Sequence, residues 1–103
     1  MRRWKVIAVK HGTYKVIRVD GNEELREMKP TIPRIHADIG CECVDTVTLD
    51  RTREIIMMVD DTGAIDGKPV NRKATAFMQE AFGPQYPNSI HGDVAIVWDG
   101  DFA

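Results

Sequence analysis

Asn71-Arg72 opens a stretch with helical spacing, and His91-Gly92 stands just before a β-branched run. The first turn of a helix leaves backbone N–H groups unpaired, and the helix dipole there favours negative charge. Asn71, Arg72, His91 and Gly92 are therefore candidates for a small anion or nucleotide pocket. A plainer reading makes Asn71 a helix cap and Arg72 a solvated side chain, and capping alone explains an asparagine at that position. Neither G-x-x-x-x-G-K-[ST] nor G-x-G-x-x-G occurs, so the familiar phosphate loops are absent from the sequence.

Other residue groups point to chemistry less directly. Asp60, Asp61 and Asp66 crowd the stretch DDTGAIDG. They lack the D-x-[DN]-x-[DN]-G spacing and the later Glu of a calcium loop, and Asp and Gly are ordinary turn residues. Cys41 and Cys43 with His36 and His91 add up to four zinc-type ligands, but structural zinc sites favour Cys-x-x-Cys turns over Cys-x-Cys. Two small buried thiols are the simpler account. A disulfide between positions two apart would be strained, so both cysteines are expected to be reduced. Cys41 or Ser89 could pair with His36 or His91 as a nucleophile and base, yet no local elbow or oxyanion-hole motif accompanies them. The expectation is a protein with no catalytic residues, no bound metal and no cofactor.

The bulk composition limits partners. A chain of 103 residues is the size of one domain, and 43% hydrophobic with 29% charged is neither disordered nor fibrous. Lys+Arg 14 against Asp+Glu 16 gives a formal charge of -2. Direct duplex DNA binding needs a clustered basic surface, so that mode is disfavoured. The opening MRRWKVIAVKHG has too short an apolar run for a secretory signal, and no stretch reaches the roughly 18 apolar residues of a membrane span. A cytoplasmic location without membrane attachment is expected.

These residues need a scaffold, and the pattern supplies one. Residues 4–10, WKVIAVK, and 13–20, TYKVIRVD, read as a hairpin turning at His11-Gly12. On the second strand Ile17 and Val19 share one face, and Tyr14, Val16 and Arg18 the other. Asn22 and the acidic start of EELREMK predict a short helix with Leu25 and Met28 inward, stopped by Pro30. TIPRIHADIG can add one or two helical turns between a Thr31 cap and a Gly40 stop. Residues 41–49 and 54–60 read as strands joined by a polar turn, with Ile55, Met57 and Val59 on one face and Ile56 and Met58 on the other.

The helix over 71–82 carries the clearest signals: Asn71 before it, Gly83-Pro84 after it, and Ala74, Phe77, Met78, Ala81 and Phe82 along one stripe. Burying two phenylalanines and a methionine contributes about 5–8 kcal/mol before entropy, so Phe77→Ala threatens the fold itself. Residues 93–98 make the last strand. The fold class is α+β, a mostly antiparallel sheet of about five strands in the order β-β-α-β-β-α-β with one main amphipathic helix packed on it.

The stretches GKPVNRKATAFMQEAFG and IHGDVAIVW resemble a family of small uncharacterised proteins of bacteriophages, plasmids and their hosts, catalogued as a domain of unknown function. The shared features fall on Asp60, Asp61, Gly63, Gly67, Pro69, Asn71, Ala74 and Gly92, and TIPRIHADIGCECVD departs from the pattern. The resemblance implies an α+β fold and a mobile-element context, and carries no activity. Together with small size and acidic balance it predicts a non-catalytic accessory protein that binds a host or phage protein, in an anti-defence or regulatory role. Trp4, Tyr86 and Trp98 are candidate contact residues. Val6, Ala8, Ile56 and Met58 would form an apolar face if nothing in the chain covers them, and a homodimer through that face or an edge strand is a further expectation.

Overall fold

The computed structural model describes residues 10–83 and 88–102. The elements are β1 (Tyr14–Ile17), β2 (Glu23–Arg26), α1 (Ile32–Ile39), β3 (Val44–Asp50), β4 (Ile55–Asp60), α2 (Arg72–Phe82), β5 (Val94–Trp98) and a closing 3-10 turn (Asp99–Phe102). The strands form one five-stranded sheet in the order β2-β1-β5-β4-β3, antiparallel at every junction. The α+β class and the order β-β-α-β-β-α-β are as expected, but among the described residues the first three elements are filled by different residues. Among the described residues no helix is long and apolar enough to cross a membrane.

The first difference is at 23–29. Glu23–Arg26 is not a helix but an edge strand, paired from Tyr14↔Arg26 to Ile17↔Glu23. A seven-residue helix is marginal in water, whereas the strand gives each charge a partner. Glu23 bridges Lys15 and Lys73, and Glu24 bridges Arg18 and Arg26. Leu25 and Met28, expected inside, are exposed. The second difference lies upstream. Among the described residues β1, flanked by β2 and β5, is the first strand in chain order; the expected strand at residues 4–10, including Trp4, Val6 and Ala8, lies outside the described residues up to residue 9.

The helix of the order is α1. Thr31 accepts a hydrogen bond from Arg34 N–H, Pro33 suits the first turn, and Gly40, left-handed at φ 70, returns its N–H to the His36 carbonyl. Its buried face, Ile35 and Ile39, lies on Tyr14, Val16, Met58, Ala95 and Val97, with Ile56 packed at the margin. The apolar face that Ile56 and Met58 might have left open is therefore covered by α1.

α2 covers the opposite face. Ala74, Phe77 and Met78 pack on Ile17, Leu49, Ile55, Met57, Val59, Ile90, Val94 and Ile96. Phe82, expected on this stripe, is exposed. Trp98 packs beside this cluster and stacks its ring on His11 at 4.1 Å, so it is not a free contact residue.

One buried polar residue holds two other segments to α2. Asn71 is fully buried; its Oδ1 accepts from Ala74 N–H at 3.0 Å, while Nδ2 donates to the carbonyls of Ile17 at 2.9 Å and Gly92 at 3.0 Å. Its own N–H donates to Ile90 O, and Gly92 N–H donates to Pro69 O, so 69–71 and 90–92 form a short ladder. Asn71→Ala strands two buried carbonyls and removes the cap. It is expected to cost about 3 kcal/mol or more in urea denaturation. Asn71→Asp keeps the cap but sets an oxygen against two carbonyl oxygens, so it should recover little of that loss.

Candidate functional site

The ladder of 69–71 with 90–92 fixes one wall of a cavity of about 470 Å³ on the α2 side of the sheet. Asp45 and Val47 of β3 and Val59 and Asp60 of β4 form its floor, Asp61 and Ala64 its turn side, Met78 its helix side, and 88–91 its far wall. That far wall is tied to α2, since Ile90 N–H donates to Thr75 Oγ1 at 2.9 Å.

His91 is the polar centre of that wall. Its Nδ1 lies 2.8 Å from the Lys68 carbonyl. A carbonyl can only accept, so Nδ1 carries the proton and Nε2 of the neutral ring is left as an acceptor. Gly63 sits against the same residue: a Cβ there would lie 2.6 Å from the His91 carbonyl oxygen. Only glycine allows the 60s turn this close to the segment that carries His91.

Asp60 ends β4 almost wholly buried. Its Oδ1 accepts from Thr62 N–H and Oγ1, and its Oδ2, sealed from solvent, meets the Lys68 ammonium. Burial alone would raise this carboxyl, but Lys68 and Thr62 outweigh it and hold Asp60 below the usual carboxylate range. Lys68 is correspondingly raised, chiefly by its bond to Asp60, and also donates to Gly40 O at 3.1 Å. One ion pair thus joins the end of β4, the 60s turn and the end of α1.

The sequence-derived candidates separate in space. Asn71 is occupied on all its polar atoms, and Arg72 is exposed beside it. Of Asn71, Arg72, His91 and Gly92, only His91 lines the cavity. Gly92, at φ 89, serves the ladder. Burial first, and then Asp60, push the Cys41 thiol up, which disfavours the thiolate a nucleophile needs. Cys43 is exposed, with its carbonyl receiving the Cys41 thiol. Among the described residues no group of three or more His, Cys, Asp and Glu side chains is placed to share a metal ion. Tyr86 lies outside the described residues.

What sequence reading missed is Asp45 and Lys68. Asp45 comes from a strand more than forty positions away from His91, and Lys68 carries no local motif that marks it. The lining combines Asp45, Asp60 and Asp61 with Ser89, Asn88 and His91, beside the apolar Val47, Val59, Met78 and Ile90; of the three carboxylates, that of Asp60 is already neutralised by Lys68. Among the described residues no Lys or Arg lines the cavity. Such a cleft suits a group with a positive head and an aliphatic stem.

Lys68→Met leaves the Asp60 carboxylate buried without its cation and should cost about 3 kcal/mol at neutral pH. The pH signs then oppose. In the natural protein the lowered Asp60 contributes stability above the unfolded carboxylate range and loses it as pH falls through its folded pKa. In Lys68→Met the unpaired carboxylate is destabilising, and protonation relieves it, so the gap between the two proteins narrows on acidification. Urea denaturation at neutral and acidic pH checks this. Gly63→Ala forces the turn off the His91 carbonyl and should lower stability by about 1–3 kcal/mol, with the largest amide shifts at residues 60–64 and 90–92.

The chain belongs to a family defined by a domain of unknown function (DUF3846), whose model matches residues 13–103. Neither the curated proteins nor the solved structures include a significant match to it.

Proposed function

We propose that the protein is a non-catalytic accessory protein of a mobile element that works by binding a host or phage protein, and that the acidic cleft receives a positively charged side chain of that partner. The observation that carries this reading is the lining: Asp45 of β3 and Asp61 of the 60s turn stand exposed beside the apolar Val47, Val59, Met78 and Ile90, with no basic side chain among the described lining residues. An ammonium or guanidinium with its methylene stem matches both parts, because the stem covers Val47 and Met78 while the head meets Asp45 and Asp61. Cytoplasmic residence and an anti-defence or regulatory role fit the mobile-element context.

The lining disfavours an anion in the cleft. An anion would have to sit instead at the start of α2, where Asn71 is already committed to Ala74 and to two carbonyls.

The test is amide chemical-shift titration with N-acetyl-lysine methylamide, its neutral norleucine counterpart, and inorganic phosphate. The lysine compound should give saturable shifts at Asp45, Asp61, Ser89 and His91 in the millimolar range, about −4 kcal/mol. The norleucine compound should give much smaller ones. Asp45→Asn with Asp61→Asn should weaken the lysine compound about tenfold, or about 1.4 kcal/mol. Equal shifts with the neutral compound would sink the reading. Phosphate shifts centred on Arg72 and Lys73 would move the site to the helix start.

A further inference from the structure

The cleft opens beside the last strand of the sheet. β3 pairs with β4 and stands at the end of the order β2-β1-β5-β4-β3, so its outer edge is unpaired among the described residues. Asp61 N–H donates to Cys43 O at 2.9 Å, and the register runs from Val44↔Asp60 to Thr48↔Ile56. In an antiparallel ladder the hydrogen-bonded pairs alternate. The backbone groups of Asp45 and Val47 therefore face β4, and those of Val44, Thr46 and Thr48 face outward.

One of these outward groups is already held. Thr46 N–H donates to Asp45 Oδ1 at 2.8 Å. The carboxylate stands in for the acceptor that a neighbouring strand would bring. A strand carbonyl arriving at Thr46 would free Asp45 for a cation.

From these observations we infer that the outer edge of β3 is a strand-addition site for an extended basic peptide, whose Lys or Arg side chain enters the acidic cleft. This inference rests on the cleft reading above and deepens it. An added strand lies about 4.8 Å from β3, and its alternate side chains point to the face that Asp45 and Val47 share. A basic residue on that face comes beside Asp45 and Asp61. β3 is seven residues long, VDTVTLD, with no Pro or Lys to block pairing and a register shift only between Thr48 and Asp50.

Two alternatives fit less well. The opposite edge, β2, is four residues long and mixes both signs of charge. A second copy of β3 would bring another Asp45 and Asp50, and no basic residue, against the same acidic surface.

The test uses a fluorescein-labelled peptide, acetyl-Thr-Val-Lys-Val-Thr-Val-Ser-amide, read by polarisation and by amide shifts on the whole chain. It should bind at least tenfold tighter than N-acetyl-lysine methylamide, with the largest shifts at the amides of Val44, Thr46 and Thr48. Replacing its Lys by Glu, or N-methylating alternate residues, should each cost tenfold or more. Thr46→Pro removes an outward N–H and should abolish peptide binding while the lysine compound still enters the cleft; the N-methylated peptide decides the matter should that variant not fold. A peptide no tighter than the lysine compound, or one that leaves residues 44–48 unshifted, overturns strand addition and leaves the cleft reading standing. Failure of both compounds overturns both. Concentration-dependent dimerisation through β3 in place of peptide uptake also overturns it.

Discussion

The tertiary structure depends on a single buried amide. Asn71 stands where α2, the end of β1 and the entry to β5 meet, and it satisfies backbone groups from all three. A helix start in this place needs an acceptor for its own N–H, while the two neighbouring carbonyls need donors. The asparagine side chain supplies both from one planar group; aspartate lacks the donors and serine the reach. Because every buried polar group must find a partner, the residue at 71 ties the start of α2 to the end of β1 and to Gly92. From that start Phe77 and Met78 pack over the sheet.

The sheet is closed on both faces in different ways. On the α2 side the seal is mostly apolar. On the α1 side an apolar strip is bounded by a chain of charges. Arg18 grips Glu24 with two bonds, reaches Asp93, and donates to the Asp38 carbonyl near the end of α1. Glu24 passes to Arg26, Arg26 to Asp38, and the Asp38 carboxylate accepts from the Tyr14 hydroxyl. Burial, reinforced by Asp38, pushes that tyrosine up to about 12. The network joins β1, β2, α1 and the entry to β5, and explains why a short polar strand holds the sheet edge: its charges are complements of groups already fixed elsewhere.

The acidic cleft is a consequence of these constraints. Asn71 and the ladder hold His91 in position, Gly63 brings the 60s turn against its backbone, and Lys68 keeps Asp60 ionised while turned away from solvent. Lys68 neutralises the innermost carboxylate, so the charge offered to a visitor is that of Asp45 and Asp61 nearer the rim. The rigid wall and the exposed strand edge lie side by side, which lets one extended segment use both.

Residue types and local spacing determined the elements whose reasons are local. The α2 stripe, the Asn71 cap, the Thr31 and Gly40 ends of α1 and the face assignment of Ile55 to Val59 all follow from periodicity and capping, which act within a few residues. Asn71 was legible as a cap, Asp60 and Asp61 as turn residues, and His91 as a candidate pocket residue before the last strand. Tertiary structure decided what depends on partners far along the chain. Glu23–Arg26 became a strand because Lys15, Arg18 and Lys73 were waiting for its glutamates, overriding a weak helical signal. Whether Asn71 bound a ligand or the protein itself depended on the carbonyls of Ile17 and Gly92, which no local pattern places beside it. The cleft, too, exists only because sheet order sets Asp45 of β3 across from His91 at the entry to β5, and strand order is a long-range choice that local spacing does not encode.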